Sequence, residues 1–184
     1  MNKPHLQEAA VNEAIQKKDL VIESFHDTYP NLTLKTTFLL KWLSDRCQAA
    51  TLILKIDDDV YVNTDNFWPV LKRAKRVADT QMSYSGPRGA HQSRARRGTL
   101  IGLVVTKARV VRDPASKWYL SKLEYKDNVH PSYLNGPAYI FSGDILKSLY
   151  SCTLRTPFIP IEDVFLTGLC ATKALRLRLT DMKV

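Results

Sequence analysis

The run TLILKI at residues 51–56 leads without a break into Asp57, Asp58 and Asp59. A compact apolar run of this length, rich in β-branched residues, reads as a strand buried on both faces. Three consecutive carboxylates at its carboxyl end repel one another, and burial penalises each charge, so a cation is needed beside them. In open α/β sheets the carboxyl ends of the strands are also where ligands bind. An oxygen-only donor set favours a hard divalent ion such as Mn²⁺ or Mg²⁺, completed by water and phosphate oxygens. The triplet is therefore read as holding a metal together with a diphosphate; an acidic turn accounts for the same residues equally well.

The segments around this strand alternate in period. Residues 6–18, LQEAAVNEAIQKK, form an amphipathic helix with Leu6, Ala9, Ala10, Ala14 and Ile15 on one side. Residues 20–22 read as a short strand. After the breaker Tyr29-Pro30, Asn31 caps a second helix whose buried stripe is Leu34, Phe38, Leu39, Trp42 and Leu43, ending near Cys47. Residues 60–62 continue the extended pattern. Residues 63–66 then supply a turn and cap for a helix over 67–77, with Pro69 in its first turn. Residues 100–105 and 138–141 are further strands, and Ser142 caps a short helix to about Tyr150. Strands alternating with helices predict an α/β sandwich with a mainly parallel sheet. No repeat or second domain is visible over residues 1–184, and residues 80–98 form one long flexible insertion.

Of 184 residues, 45% are hydrophobic and 24% charged, which excludes disordered and collagen-like chains. No run approaches the ~18 apolar residues of a membrane-spanning helix, and the N-terminus lacks the order of a signal peptide. The net charge of +9 concentrates in residues 72–76 and 88–97. The first group lies on the outer face of the helix over 67–77, and the second is loop by composition. No recognition helix, stacking motif or interleaved aromatic pattern accompanies these arginines, so no nucleic-acid partner is expected. Cys47, Cys152 and Cys170 include no CxxC pair, which excludes a zinc module. At most one disulfide can form, from three conceivable pairings.

A second acidic pair, Glu162-Asp163, sits in PFIPIEDVFLTGLC between apolar residues. Such surroundings raise a carboxyl pKa and suit a general base near neutral pH. The pair also precedes a helical spacing of Val164, Leu166, Leu169 and Cys170, so an N-cap role is compatible. Between the acidic sites lie KWYLS (117–121) and HPSYLNGPAYIFSGD (130–144). The latter places Gly136 where backbone approaches a sugar closely, while Tyr139 and Phe141 suit the core.

In their order, FHDTYPNLTLKT (25–36), Trp42 with Cys47, KIDDDVYVN (55–63), RDPASKWYLS (112–121), HPSYLNGPAYIFS (130–142) and IEDVFLTGLC (161–170) make the chain resemble a known family. It is the inverting beta-1,3-glycosyltransferase family of the Golgi, which includes beta-1,3-galactosyltransferases, beta-1,3-N-acetylglucosaminyltransferases and fringe. The NLTLKT and KWY segments look closer to the galactosyltransferase branch. The resemblance implies a GT-A fold, a Rossmann-type nucleotide-sugar-binding sandwich that uses a UDP-sugar donor, Mn²⁺ and a glycan acceptor. In it Asp59 would hold the metal, Asp58 would lie towards the donor ribose and metal shell, and Asp57 would flank the site. Asp163 would be the base that deprotonates the acceptor 3-hydroxyl. Trp118 and Tyr119 would wall the sugar site, with Gly136 on the substrate side and Glu162 positioning the acceptor or its loop. Lys35 is a donor-side cation or half of a salt bridge on a helix face. The family works on the lumenal side of the Golgi membrane through an anchor that this chain does not contain. It also carries an earlier strand and a later histidine, so a piece of a longer protein is expected. The alternative to an enzyme is a non-catalytic remnant that binds glycan or a partner enzyme.

Overall fold

A computed structural model describes residues 4–83 and 98–182. In chain order these form α1 (Pro4–Lys17), α2 (Leu32–Arg46), β1 (Leu52–Ile56), α3 (Thr64–Ser83), β2 (Leu100–Val105), β3 (Tyr133–Ser142), α4 (Leu146–Thr153), a π-helix (Val164–Ala174) and β4 (Leu179–Asp181). Short 3₁₀ turns precede α2 at Tyr29–Asn31 and α4 at Gly143–Ile145. The basic run at 88–97 lies outside the described residues.

The α/β class holds, but the sheet is not mainly parallel. Its order is β1-β3-β2-β4, with β3 antiparallel to both β1 and β2 and only β4 parallel to β2. The reason lies in residues 106–132, which carry no helix. Without a crossover helix the chain returns beside β2 in the opposite direction. Strand β3 is thereby central, and it is longer than the expected 138–141.

Side-chain alternation along the strands separates two faces. Ile53, Leu100, Tyr139 and Phe141 join the main core, packed with Leu40 and Leu43 of α2, Leu149 of α4 and Leu166 and Leu169 of the π-helix. On the other face Ile101 and Ile140 pack with Ala74, Phe67 and Leu71 of α3. Charged Lys72, Arg73, Lys75 and Arg76 stand exposed around buried Ala74, the solvated face expected of that run.

Several local expectations are corrected. Residues 20–22 form no strand, and α1 buries no stripe, with Leu6 and Ile15 exposed. In α2 the buried face is Thr33, Leu40, Leu43 and Ser44, whereas Trp42 is exposed. Thr33 turns inward because its hydroxyl donates to the Ile159 carbonyl at 2.9 Å. Strand β1 is fully covered on one face only: on the other, Leu52 packs against the cluster beneath α3 while Leu54 and Ile56 are exposed. Helix α3 starts at Thr64, after Asn63 caps it by accepting from the Asn66 N–H at 3.1 Å. Pro69 consequently falls inside the helix, in its second turn. Residues 164–174 follow π rather than α geometry, and the Thr167 and Thr172 hydroxyls donate to carbonyls four residues earlier, each at 2.7 Å. π geometry is rare and recurs at functional sites. The three cysteines are free thiols. Cys152 and Cys170 each contact the Thr156 hydroxyl at 3.4 Å, and burial pushes the Cys170 thiol up to about 12.

Candidate active site

Lys55 ties the two acidic segments together. Register places it opposite Tyr139 on β3. Its Nζ donates to the Gly136 carbonyl at 2.7 Å, pairs with the Asp57 carboxylate, lies 3.9 Å from Glu162 Oε2 and sits 5.6 Å from the Tyr139 ring centroid. Part of the cation that the triplet requires is thus supplied by the chain itself. Asp57 is also held through its backbone, which donates to the Pro137 carbonyl at 2.9 Å. The Val60 N–H closes a turn on the Asp57 carbonyl at 3.2 Å, and Asp58 and Asp59 project from that corner into solvent.

Glu162 is not at the surface. Its side chain is only 9% exposed, and it accepts a hydrogen bond from the fully buried Tyr139 hydroxyl at 2.6 Å. Burial pushes its carboxyl above the ordinary carboxylate range, while Lys55 and the tyrosine bond pull it back. These contacts hold the Glu162 carboxylate in place.

Asp163 caps the π-helix and faces the cleft as well. Oδ1 accepts from the Val164 N–H at 2.8 Å and Oδ2 from the Gly136 N–H at 3.0 Å. Burial raises its pKa; the backbone N–H groups act in the opposite direction without cancelling it. Gly136 is small because of this carboxylate: a Cβ there would lie 3.2 Å from Asp163 Oδ2. Asp163 makes one close approach at Gly136.

Both acidic segments line one cleft of about 1280 Å³. Trp118 stands at its wall, its indole N–H donating to the Tyr29 hydroxyl at 3.1 Å, with Lys117 Nζ 4.8 Å from its ring centroid. Tyr119 does not line the cleft. Lys35 does, but it pairs with Asp27 at 3.3 Å with both side chains exposed, which is the salt-bridge alternative. Sequence reasoning missed Arg112. Its guanidinium donates to the carbonyls of Leu120, Ser121, Tyr125 and Asp127 at 2.6, 2.9, 2.8 and 2.7 Å, folding the loop that carries Trp118. Arg112→Ala is expected to lower the unfolding free energy by about 2–3 kcal/mol, because four carbonyls lose charged donors. Arg112→Lys should rescue only part, since one ammonium cannot span the same acceptors. Urea denaturation of the three proteins measures both effects.

A sheet flanked by helices with both acidic segments on one cleft is the setting in which the family model for galactosyltransferase matches residues 2–182, and the chain belongs to that family. It is 32% identical over 171 residues to mouse and human beta-1,3-galactosyltransferase 1, covering 92% of this chain and 46% of each relative. To human beta-1,3-galactosyltransferase 5 it is 30% identical over 170 residues, covering 92% of this chain and 48% of the relative. The chain thus spans about half the length of the curated relatives it matches. Among the described residues no helix is long and apolar enough to cross a membrane.

Proposed function

We propose that the chain carries the catalytic cleft of a beta-1,3-galactosyltransferase of the Golgi lumen. It moves a hexose, galactose, from a UDP-sugar to the 3-hydroxyl of a glycan acceptor with inversion. The observation that carries this reading is the placement of the Asp58-Asp59 corner and Asp163 along one cleft, joined beneath by Lys55 and Gly136.

The chemistry follows from the contacts. Asp163 has both oxygens oriented by backbone N–H groups, from Val164 and Gly136. It takes the proton as the acceptor oxygen bonds to the anomeric carbon and the bond to the UDP oxygen breaks on the opposite face. One displacement inverts the centre. Lys55 and Tyr139 hold Glu162, and through Gly136 Lys55 helps fix where Asp163 sits.

Among the described residues no three His, Cys, Asp or Glu side chains converge on one point. An ion here would therefore be held by few protein oxygens. Asp59, with Asp58 beside it, is exposed at the cleft and makes no ion pair among the described residues, which suits a hard cation completed by diphosphate and water. Mn²⁺, when bound, would neutralise charge developing on the leaving diphosphate.

Asp59→Ala tests the reading. Calorimetry with UDP and Mn²⁺ should show affinity falling on the order of tenfold or more with circular dichroism unchanged. Unchanged affinity would return the triplet to an acidic turn. Unaltered UDP binding with no transfer from UDP-galactose by the wild-type chain would favour the glycan-binding remnant.

A further inference from the structure

The cleft contains a ring that the reaction above does not use. His130 lines it and is 8% exposed, with the Tyr125 and Tyr133 ring centroids 5.4 and 6.2 Å away. Its backbone is fixed: the His130 N–H donates to the Ala108 carbonyl at 2.9 Å, next to the Arg109–Val129 bridge. Its side chain is not, for Nδ1 is buried with no hydrogen-bond partner. Buried polar atoms are almost always satisfied; as the ring stands Nδ1 is closed off from the cleft, and a half-turn about χ2 that brings it to the cleft would give it a partner that is not protein.

The neighbours say which substrate that partner belongs to. Tyr133, beside His130, feels the Asp163 carboxylate, whose charge helps to raise the tyrosine pKa. His130, Tyr133 and Asp163 line the same cleft, in which the acceptor sugar must lie while its hydroxyl is deprotonated. We propose that His130 is an acceptor-recognition residue, its imidazole hydrogen-bonding a hydroxyl of the acceptor hexose adjacent to the one that reacts. This rests on the transferase reading given above.

The chemistry of the ring suits that partner. Burial, helped by the Arg112 guanidinium, pushes the imidazole below its ordinary range, so it is neutral at pH 7. A neutral imidazole has one donor and one acceptor, which matches a hydroxyl, itself both. Rotation about χ2, a broad torsion, selects the ring edge that meets the sugar.

The test uses the full chain with ¹⁵N-labelled histidine, titrated with p-nitrophenyl β-hexosides as probes. At saturation by a hexoside the His130 ring ¹⁵N resonances should move. His130→Phe keeps a ring between the two tyrosines and should weaken that hexoside about tenfold, the cost of one hydrogen bond to a buried group. His130→Gln, which retains a donor and an acceptor, should recover most of the affinity. UDP–Mn²⁺ affinity should be the same in all three proteins. Unmoved ring resonances, no binding of any hexoside, or equal hexoside affinity in His130→Phe would overturn the proposal. Failure of the wild-type chain to bind UDP with Mn²⁺ would instead count against the transferase reading, and the ring resonances would still decide whether His130 meets a sugar.

Discussion

Asp163→Asn is expected to cut sugar transfer by roughly 10²–10⁴-fold while leaving UDP affinity nearly unchanged, because the amide cannot accept the acceptor's proton. The contacts add a second, smaller effect. Both carboxylate oxygens now accept backbone N–H groups, from Val164 and Gly136. Asn has one oxygen, so its NH₂ must face one of those donors, leaving it unpaired at a cost of about 1–2 kcal/mol. Thermal unfolding should register that loss, and assays run well below the transition separate it from the chemical step. Wild-type transfer should fall as pH drops through the Asp163 pKa, which lies above the ordinary aspartate value because burial disfavours the charged form. The acidic limb should vanish in Asp163→Asn. Glu162→Gln should be milder, since Glu162 acts through Tyr139 and Lys55. Equal, small losses in both variants would leave the pair as a helix cap.

Much of this site was legible in the sequence because its parts are local. The triplet at a strand end, the acidic pair before a helix and the strands at 52–56 and 100–105 are set by runs of residues that read independently. The rest depends on pairing that no run encodes. A parallel sheet was expected because strands and helices alternate, yet strand direction is set by what joins β2 to β3, a segment of irregular loop held by Arg112. Burial of Thr33 over Trp42 follows from the Ile159 carbonyl, 126 residues away in the chain. Gly136 pointed to a close approach, but only the fold shows that Asp163 makes one. Lys55 did carry a signal: a lysine interrupting an apolar strand run, just ahead of three aspartates, has carboxylates within reach.

Lys55→Met tests that link and should be the most destabilising single change at the site. Methionine fills similar space, so the loss is electrostatic. It leaves Glu162 buried with the Tyr139 hydroxyl but without its cation, and removing one partner of a buried pair costs about 3–5 kcal/mol. The pH dependence identifies the cause. In the wild type, burial already holds the Glu162 pKa above its ordinary value and Lys55 is the strongest opposing influence. Without Lys55 the pKa rises further. A carboxyl whose folded pKa is raised binds protons more readily in the folded state than in the unfolded one, so stability falls as pH rises from the unfolded value through the folded one. The deficit of Lys55→Met relative to wild type should therefore be largest at mildly alkaline pH and shrink under acid, as Glu162 becomes protonated in the variant. Adding Glu162→Gln should restore much of the loss at alkaline pH, because the uncompensated charge is then gone while an oxygen remains for Tyr139. Urea unfolding across pH on the four proteins of this cycle measures it. A deficit independent of pH and not relieved by Glu162→Gln would mean that the Gly136 carbonyl and the packing against Tyr139, not the carboxylate, are what Lys55 sustains.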